Sequence, residues 1–381
     1  MKFAVRSACL SLSLAVLLTA CGKKEEAPVT AGTDAAALGG EEKVLNLYIW
    51  NDYLAPDTIA NFEKETGIKV SVSNYGSNEE LESKLAPGHA GYDIVVPSAS
   101  SYERGIKAGY YQPLDKAQLP NLKNMDPDIE ARLEMHDKGN EYAVLHMWGT
   151  TGIGYNVQKI KAALPTAPLD SWRLVFDPKI AKNFQKCGIA VLDSATEMFS
   201  MALSYLGKDP NSQNPEDLKA AGDAMMAMRP YLRYIDTQRM IGDLANGEIC
   251  LAVGYSGDIL QSRDSAAENK TNQEIAYLIP KEGTIIWFDS YLIPKDAPHL
   301  KNAHTFINYM LKPEVIAAVS NAVNYANGNA AATQFVNKEV LEDPGVYPPQ
   351  EIRVKLVPDL ADTEETTRQM TRLWTRFMTG K

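Results

Sequence analysis

The chain has 381 residues and a formal net charge of −10, from 38 Lys+Arg against 48 Asp+Glu. A hydrophobic fraction of 45% and a charged fraction of 23% are ordinary for a globular protein and exclude disordered, collagen-like and coiled-coil classes for most of the chain. The length exceeds one ordinary core and predicts about two domains, while the acidic balance argues against nucleic acid as a partner, because phosphate contact needs clustered Lys and Arg.

Met1 to Ala20 starts with Lys2 and Arg6, continues through an apolar run from Ala8 to Leu18, and leads into Leu18-Thr19-Ala20-Cys21. The run is too short to span a membrane and has the form of a signal peptide over residues 1–20. Its end resembles a bacterial lipobox, which implies cleavage before Cys21 and a lipid on its thiol. A plain signal peptide followed by an incidental cysteine is the alternative. Gly22 to Gly40 is rich in Ala, Gly, Thr and charge and has almost no large apolar residue. It cannot bury enough surface to fold, so residues 21–42 are expected to be a flexible tether. These features place the folded body in the periplasm, touching a membrane only through a lipid anchor.

Val44 to Trp50 is a β-branched and aromatic run and reads as a buried strand. A helix is expected from Pro56-Asp57-Thr58 to a stop at Gly67. Lys69 to Ser73 is the next strand, and Ser77 caps a helix carrying Leu81 and Leu85 that Pro87-Gly88 breaks. Tyr92 to Pro97 is a third strand. This βαβαβ spacing predicts a parallel sheet covered by helices. A second α/β set starts with the strand Gly188 to Leu192, continues through helices over Thr196 to Leu206 and Leu218 to Arg229, and reaches the strand Ile249 to Val253. Gly149 to Tyr155 lies between the two sets and is a candidate crossover. Its glycines lack the Lys-Ser/Thr of a phosphate loop and the Rossmann spacing.

Of the four cysteines, Cys9 falls in the signal and Cys21 at the lipid site. Cys187 and Cys250 remain, and in an oxidising compartment a disulfide is the default, with two buried thiols as the alternative. Enzyme motifs are missing: there is no GxSxG, HExxH or P-loop. The five histidines show no ligand spacing, and no Cys/His cluster suggests zinc. No metal and no cofactor are expected.

What stands out is a set of turns in which aromatics neighbour carboxylates or hydroxyls. They are Trp50-Asn51-Asp52-Tyr53, Ser98 to Ser101, Asp193 to Glu197, Tyr255 to Asp258 and Trp287-Phe288-Asp289. Ligands in open α/β sheets bind outside the carboxyl ends of strands, so these turns are candidates to share one cleft. Carboxylates accept ammonium groups through charge-assisted hydrogen bonds, and ring faces take a cation with its neighbouring methylenes. The pattern therefore suits an alkylammonium ligand. Taken singly, each aromatic is as readily a core residue and each Asp a cap.

Tyr48 to Tyr53 with Phe62 to Ile68, Asp93 to Ser98, Thr150 to Asn156, Asp243 to Gly247, Ile279 to Gly283 and Tyr325-Ala326-Asn327 resemble, in order, the periplasmic polyamine-binding proteins of ABC importers. The resemblance runs from about Val44 to the C-terminus and is nearest the putrescine-binding branch. It implies an α/β periplasmic-binding-protein type II fold, with two hinged lobes closing on ligand. Lobe 1 is expected over 43–149 plus about 283–312, and lobe 2 over 150–282 plus about 313–381. It also implies a monomeric receptor, not an enzyme, which captures putrescine or spermidine and delivers it to ABC permease subunits in the inner membrane. The matching ligand positions are Trp50, Asp52, Tyr53, Ser98, Glu197, Tyr255, Asp258, Trp287, Asp289 and Tyr325. Asn51 stands where small hydroxyl residues are common. Ser101 stands where the putrescine binder has a bulky aromatic, which would leave room for a longer polyamine. The alternatives are a binding protein of this fold for another cationic ligand or metal ion, using Tyr53, Tyr255 and Tyr325, and a hydrolase built on a carboxylate pair from Glu197, Asp258 and Asp289.

Overall fold

The computed structural model describes residues 41–380; the expected signal peptide, the lipid site at Cys21 and most of the tether lie outside the described residues. Strand β1 (Val44–Trp50) is flanked by β2 (Lys69–Tyr75) and β3 (Ile94–Val95), both parallel to it. The intervening helices start and stop where the sequence signals them. Gly67 takes the left-handed conformation (φ 72°) that ends helix Thr58–Thr66. The Ser77 side chain accepts from the Glu80 N–H at the start of helix Asn78–Leu85. Strand β3 is shorter than the expected Tyr92 to Pro97: its far edge makes only an isolated bridge, Val95 to Leu292, and beyond it the chain makes one more, Ser98 to Asp289.

Strand β4 (Tyr111–Gln112) precedes the 13-residue β5 (Val144–Asn156), which contains the glycine-rich crossover stretch. Strands β6 (Ile189–Val191), β7 (Tyr234–Ile235), β8 (Leu251–Tyr255), β9 (Ile275–Leu278), β10 (Thr284–Tyr291), β11 (Ile293–Pro294) and β12 (Leu356–Pro358) complete the set. The first half of β5 runs antiparallel to β10, with Trp148 opposite Phe288. Its second half lies antiparallel to β8 and β9, with Ile153 facing Val253 on one side and Leu278 on the other. Strand β6 is parallel to both β7 and β8, β12 is parallel to the start of β10, and β11 pairs with β4.

The buried apolar side chains form two cores. The first holds Leu45, Leu47, Ile49, Phe62, Trp148 and Phe288; the second holds Ile153, Trp172, Phe199, Val253 and Ile285. Strands β5 and β10 therefore run side by side from one core into the other. The chain after residue 313 departs from expectation. Ile316, Val319, Val323, Val336 and Val346 pack in the first core, not the second, and only Met370 and Phe377 of the C-terminal helix Glu364–Thr379 join the second. The reason is local: helix Pro313–Val323 follows helix Leu300–Met310 after two residues, too short a link to leave the core that the first of them enters. A disulfide joins Cys187 to Cys250, whose Cα atoms are 5.4 Å apart. The two residues precede the paired strands β6 and β8, so strand pairing itself brings them together. Among the described residues no helix is long and apolar enough to cross a membrane.

Candidate functional site

The carboxyl ends of β1, β3, β6 and β8 face one cavity of about 80 Å³, and all ten residues expected from the sequence line it. Trp50 is the last residue of β1. Its indole N–H donates to the Val96 carbonyl at 2.8 Å, and its ring packs on Tyr75 with centroids 4.6 Å apart. Asp52 and Tyr53 follow in the turn, where Asp52 takes a positive φ of 49°.

Asp289 is the carboxylate that β10 contributes to the wall, and it is buried. The isolated bridge sets it against Ser98, and a bulge between Asp289 and Ser290 re-aims its side chain. The Ser98 hydroxyl donates to one carboxylate oxygen at 2.6 Å, and the Tyr53 hydroxyl to the other at 2.8 Å. Ser98 is also the residue before helix Ala99–Ala108. Its hydroxyl is spent on Asp289 and makes no cap. Burial raises the Asp289 carboxyl to about 7 even though these donors favour its ionised form, and the charge of Asp359 adds to the rise.

Two further carboxylates lie in the first turns of helices. Asp258 in helix Ser256–Glu268 accepts the Tyr325 hydroxyl at 2.8 Å, and burial raises it to about 6 against that hydrogen bond. Glu197 in helix Ala195–Tyr205 is 7% exposed, and one of its oxygens has no hydrogen-bond partner. Burial raises it to about 8, first helped by Asp359 and opposed by the nearby Thr151 hydroxyl, which does not reach hydrogen-bond geometry. The positive ends of both helices favour the carboxylates, but burial outweighs them.

The aromatic walls are tightly fitted. Trp287 meets Tyr255 and Tyr325 edge-on, with centroids 5.7 Å and 5.2 Å away. A Cβ at Gly149 would lie 2.6 Å from the Trp287 ring, and one at Gly257 would lie 2.5 Å from Tyr325. The crossover glycine thus serves close approach of an indole, not a phosphate.

Asn51, Ser194 and Thr196 of the expected turns also line the cavity, together with residues that sequence reasoning missed: Gly76, Asn78, Thr237, Gln238 and Asp359. Asn78 accepts the Ser98 N–H at 3.1 Å. Asp359 directly follows β12, so the signal available was an apolar run ending in a carboxylate, Leu356-Val357-Pro358-Asp359, the same form as the other turns. Ser101 does not line the cavity. It is fully buried, and its hydroxyl donates to Glu82 at 2.7 Å, so the room expected from its small size does not open into the site. Among the described residues the lining carries five carboxylates and no Lys, Arg or His, and no group of three or more His, Cys, Asp or Glu is placed to hold a metal ion.

Two α/β bodies sharing paired crossing strands, with an acidic, aromatic-walled cavity at the strand ends, define a solute-binding architecture. The chain belongs to the bacterial extracellular solute-binding protein family, whose model matches residues 57–348. It is 49% identical over 364 residues to the putrescine-binding periplasmic protein SpuD of Pseudomonas aeruginosa, covering 94% of this chain and 99% of that one. It is 46% identical over 370 residues to the putrescine-binding periplasmic protein PotF of Escherichia coli, covering 96% and 100%. A solved structure assigned to a spermidine/putrescine ABC transporter of Listeria monocytogenes superposes with a TM-score of 0.79 at 33% identity, covering 89% of this chain and 100% of the other. Both curated relatives are named as periplasmic binding proteins, and the fold is the two-lobed type II class expected from the sequence.

Proposed function

We propose that this protein is a receptor that captures a polyamine outside the cytoplasm and hands it to the permease of an ABC importer. The observation that carries the reading is the cavity lining: five carboxylates between Trp50, Tyr53, Tyr255, Trp287 and Tyr325, with no cation of the protein's own among the described lining residues. Burying carboxylates without partners is unfavourable, and a cationic ligand offsets that cost. Aromatic faces add attraction for the ammonium groups and cover the methylenes. Asp289 and Asp258 hold one ammonium and Glu197 serves another, with the rings of Trp50 and Trp287 as walls.

The moving bodies are the two cores, divided at the crossings in β5 and β10, so residues 41–149 with 286–346 close against 150–285 with 359–380. Ligand touching both binds the closed form better and shifts the population to it. Leu18-Thr19-Ala20-Cys21 supports a periplasmic lipoprotein held through Cys21. A Cys21→Ser variant is expected in soluble extracts, and a wild type that is wholly soluble with an unmodified thiol would reject the anchor. The functional reading is tested by calorimetric titration of the protein with putrescine, cadaverine, spermidine and spermine. Binding of none of them overturns it.

A further inference from the structure

We propose that His146 is a positioning residue for ligand capture: it fixes Tyr53, and through the Tyr53 hydroxyl it aims the Asp289 carboxylate at an ammonium. The inference rests on the polyamine reading and deepens it. His146 lies in β5 and does not line the cavity. It occupies the bulge beside Asp289. There Asp289 pairs with Met147 and Ser290 pairs with Leu145, so His146 is the extra residue, opposite none in β10. A bulged residue leaves the ladder, which frees its side chain to take a new direction. The imidazole is fully buried and meets two partners. Its Nε2 lies 3.0 Å from the Tyr53 carbonyl oxygen, and its Nδ1 lies 2.6 Å from the Tyr291 hydroxyl. The ring stands edge-on to that of Tyr53, with centroids 4.9 Å apart.

These contacts assign the proton. A carbonyl oxygen can only accept, so Nε2 carries the hydrogen, and the bare Nδ1 of that tautomer accepts from Tyr291. Burial keeps the imidazole neutral by pushing it down to about 4, against the opposing pull of the carbonyl. The donors therefore run in one direction: the Tyr291 hydroxyl to His146, His146 to the Tyr53 carbonyl, and the Tyr53 hydroxyl to Asp289 at 2.8 Å. The turn needs such a pin. Asp52, between Trp50 and Tyr53, has a φ of 49°, a left-handed conformation that is costly for a residue with a Cβ. The Trp50 indole ties one end of the turn to the Val96 carbonyl, and His146 ties the other. Tyr291 belongs to β10, so the pin also joins the two strands that run between the cores. Holding Tyr53 and Asp289 in place in the empty protein spares the ligand the cost of ordering them.

The test is calorimetric titration of the full chain with putrescine and, in parallel, spermidine. The proteins are wild type, His146→Phe, His146→Gln, Tyr53→Phe and the double variant His146→Phe with Tyr53→Phe. Phe fills the slot without either nitrogen, whereas the Gln amide keeps an N–H for the Tyr53 carbonyl. We expect His146→Phe to bind about tenfold more weakly than wild type, the scale of one buried carbonyl left without its donor. His146→Gln should recover to within about threefold of wild type. Tyr53→Phe lacks the hydroxyl that reaches Asp289, so adding His146→Phe to it should cost less than about threefold, whereas a purely structural role for His146 costs the same in both backgrounds. Nitrogen NMR of the wild type at pH 7 needs no variant and should show His146 neutral, with its proton on Nε2. A charged ring, a proton on Nδ1, His146→Phe binding within threefold of wild type, no recovery in His146→Gln, or equal losses in the two backgrounds overturns the inference while leaving the receptor reading intact. A wild type that binds neither amine overturns both.

Discussion

Asp289→Asn removes the central charge of the site while keeping its shape. The amide oxygen can accept from the Tyr53 hydroxyl and the amide nitrogen can donate to the Ser98 oxygen, so the two contacts at 2.8 Å and 2.6 Å survive in altered polarity. What goes is the carboxylate. In the empty protein its pKa stands at about 7 instead of the ordinary 3.8. Its native-state pKa is raised, so the stabilisation is full below about pH 4 and is lost as pH rises through about 7. The loss above pH 7 is on the order of 4 kcal/mol at most. Free Asp289→Asn should therefore melt above wild type at pH 8, by a margin that shrinks at pH 5. Binding moves the other way. Breaking a desolvated charge pair costs about 2–5 kcal/mol, or roughly 30- to several-thousand-fold in affinity. The assay is thermal melting at the two pH values with and without saturating putrescine, alongside calorimetry. A variant that binds polyamine within threefold of wild type refutes the assignment of Asp289 to the ligand. A stability difference that does not change between pH 5 and pH 8 refutes the burial argument.

Polyamine affinity should weaken as pH falls from 8 to 5, because ligand needs ionised carboxylates and Glu197, Asp289 and Asp258 are held near 8, 7 and 6. Titrations across that range should show net proton release on binding, and a flat profile would contradict it. Saturating polyamine should reduce the radius of gyration in small-angle scattering and quench or shift tryptophan emission, since Trp50 and Trp287 both line the cavity; silence in both signals would count against closure. Mass spectrometry of unreduced protein should find Cys187 linked to Cys250, and reduction should cost about 3–5 kcal/mol in the chain-entropy model for their sequence separation of 63. Free thiols that alkylate without reductant would reject the bond.

The sequence by itself determined the local elements and the chemistry of the site. Val44 to Trp50, the Gly67 stop and the Ser77 cap are each set by side chains within a few residues, and the structure keeps them. The turns of aromatics beside carboxylates were equally legible, because residue type alone tells which groups suit an ammonium ion. Tertiary structure decided the rest. All eight residues of β10 are buried, so no alternation marks which of them faces a ligand; Asp289 does so because a bulge and a bridge to Ser98 place it there. The small side chain of Ser101 suggested open space, but its hydroxyl turns to Glu82, a partner 19 residues away. The assignment of Ile316 to Val346 to the first core followed from a two-residue helix link and from packing that no periodicity expresses. Asp359 is separated from Ser100 by 259 residues and reaches the cavity only because β12 pairs with β10. Local propensity is read within one or two turns of chain, whereas a charge count in a buried cavity depends on which distant strands the cores bring together.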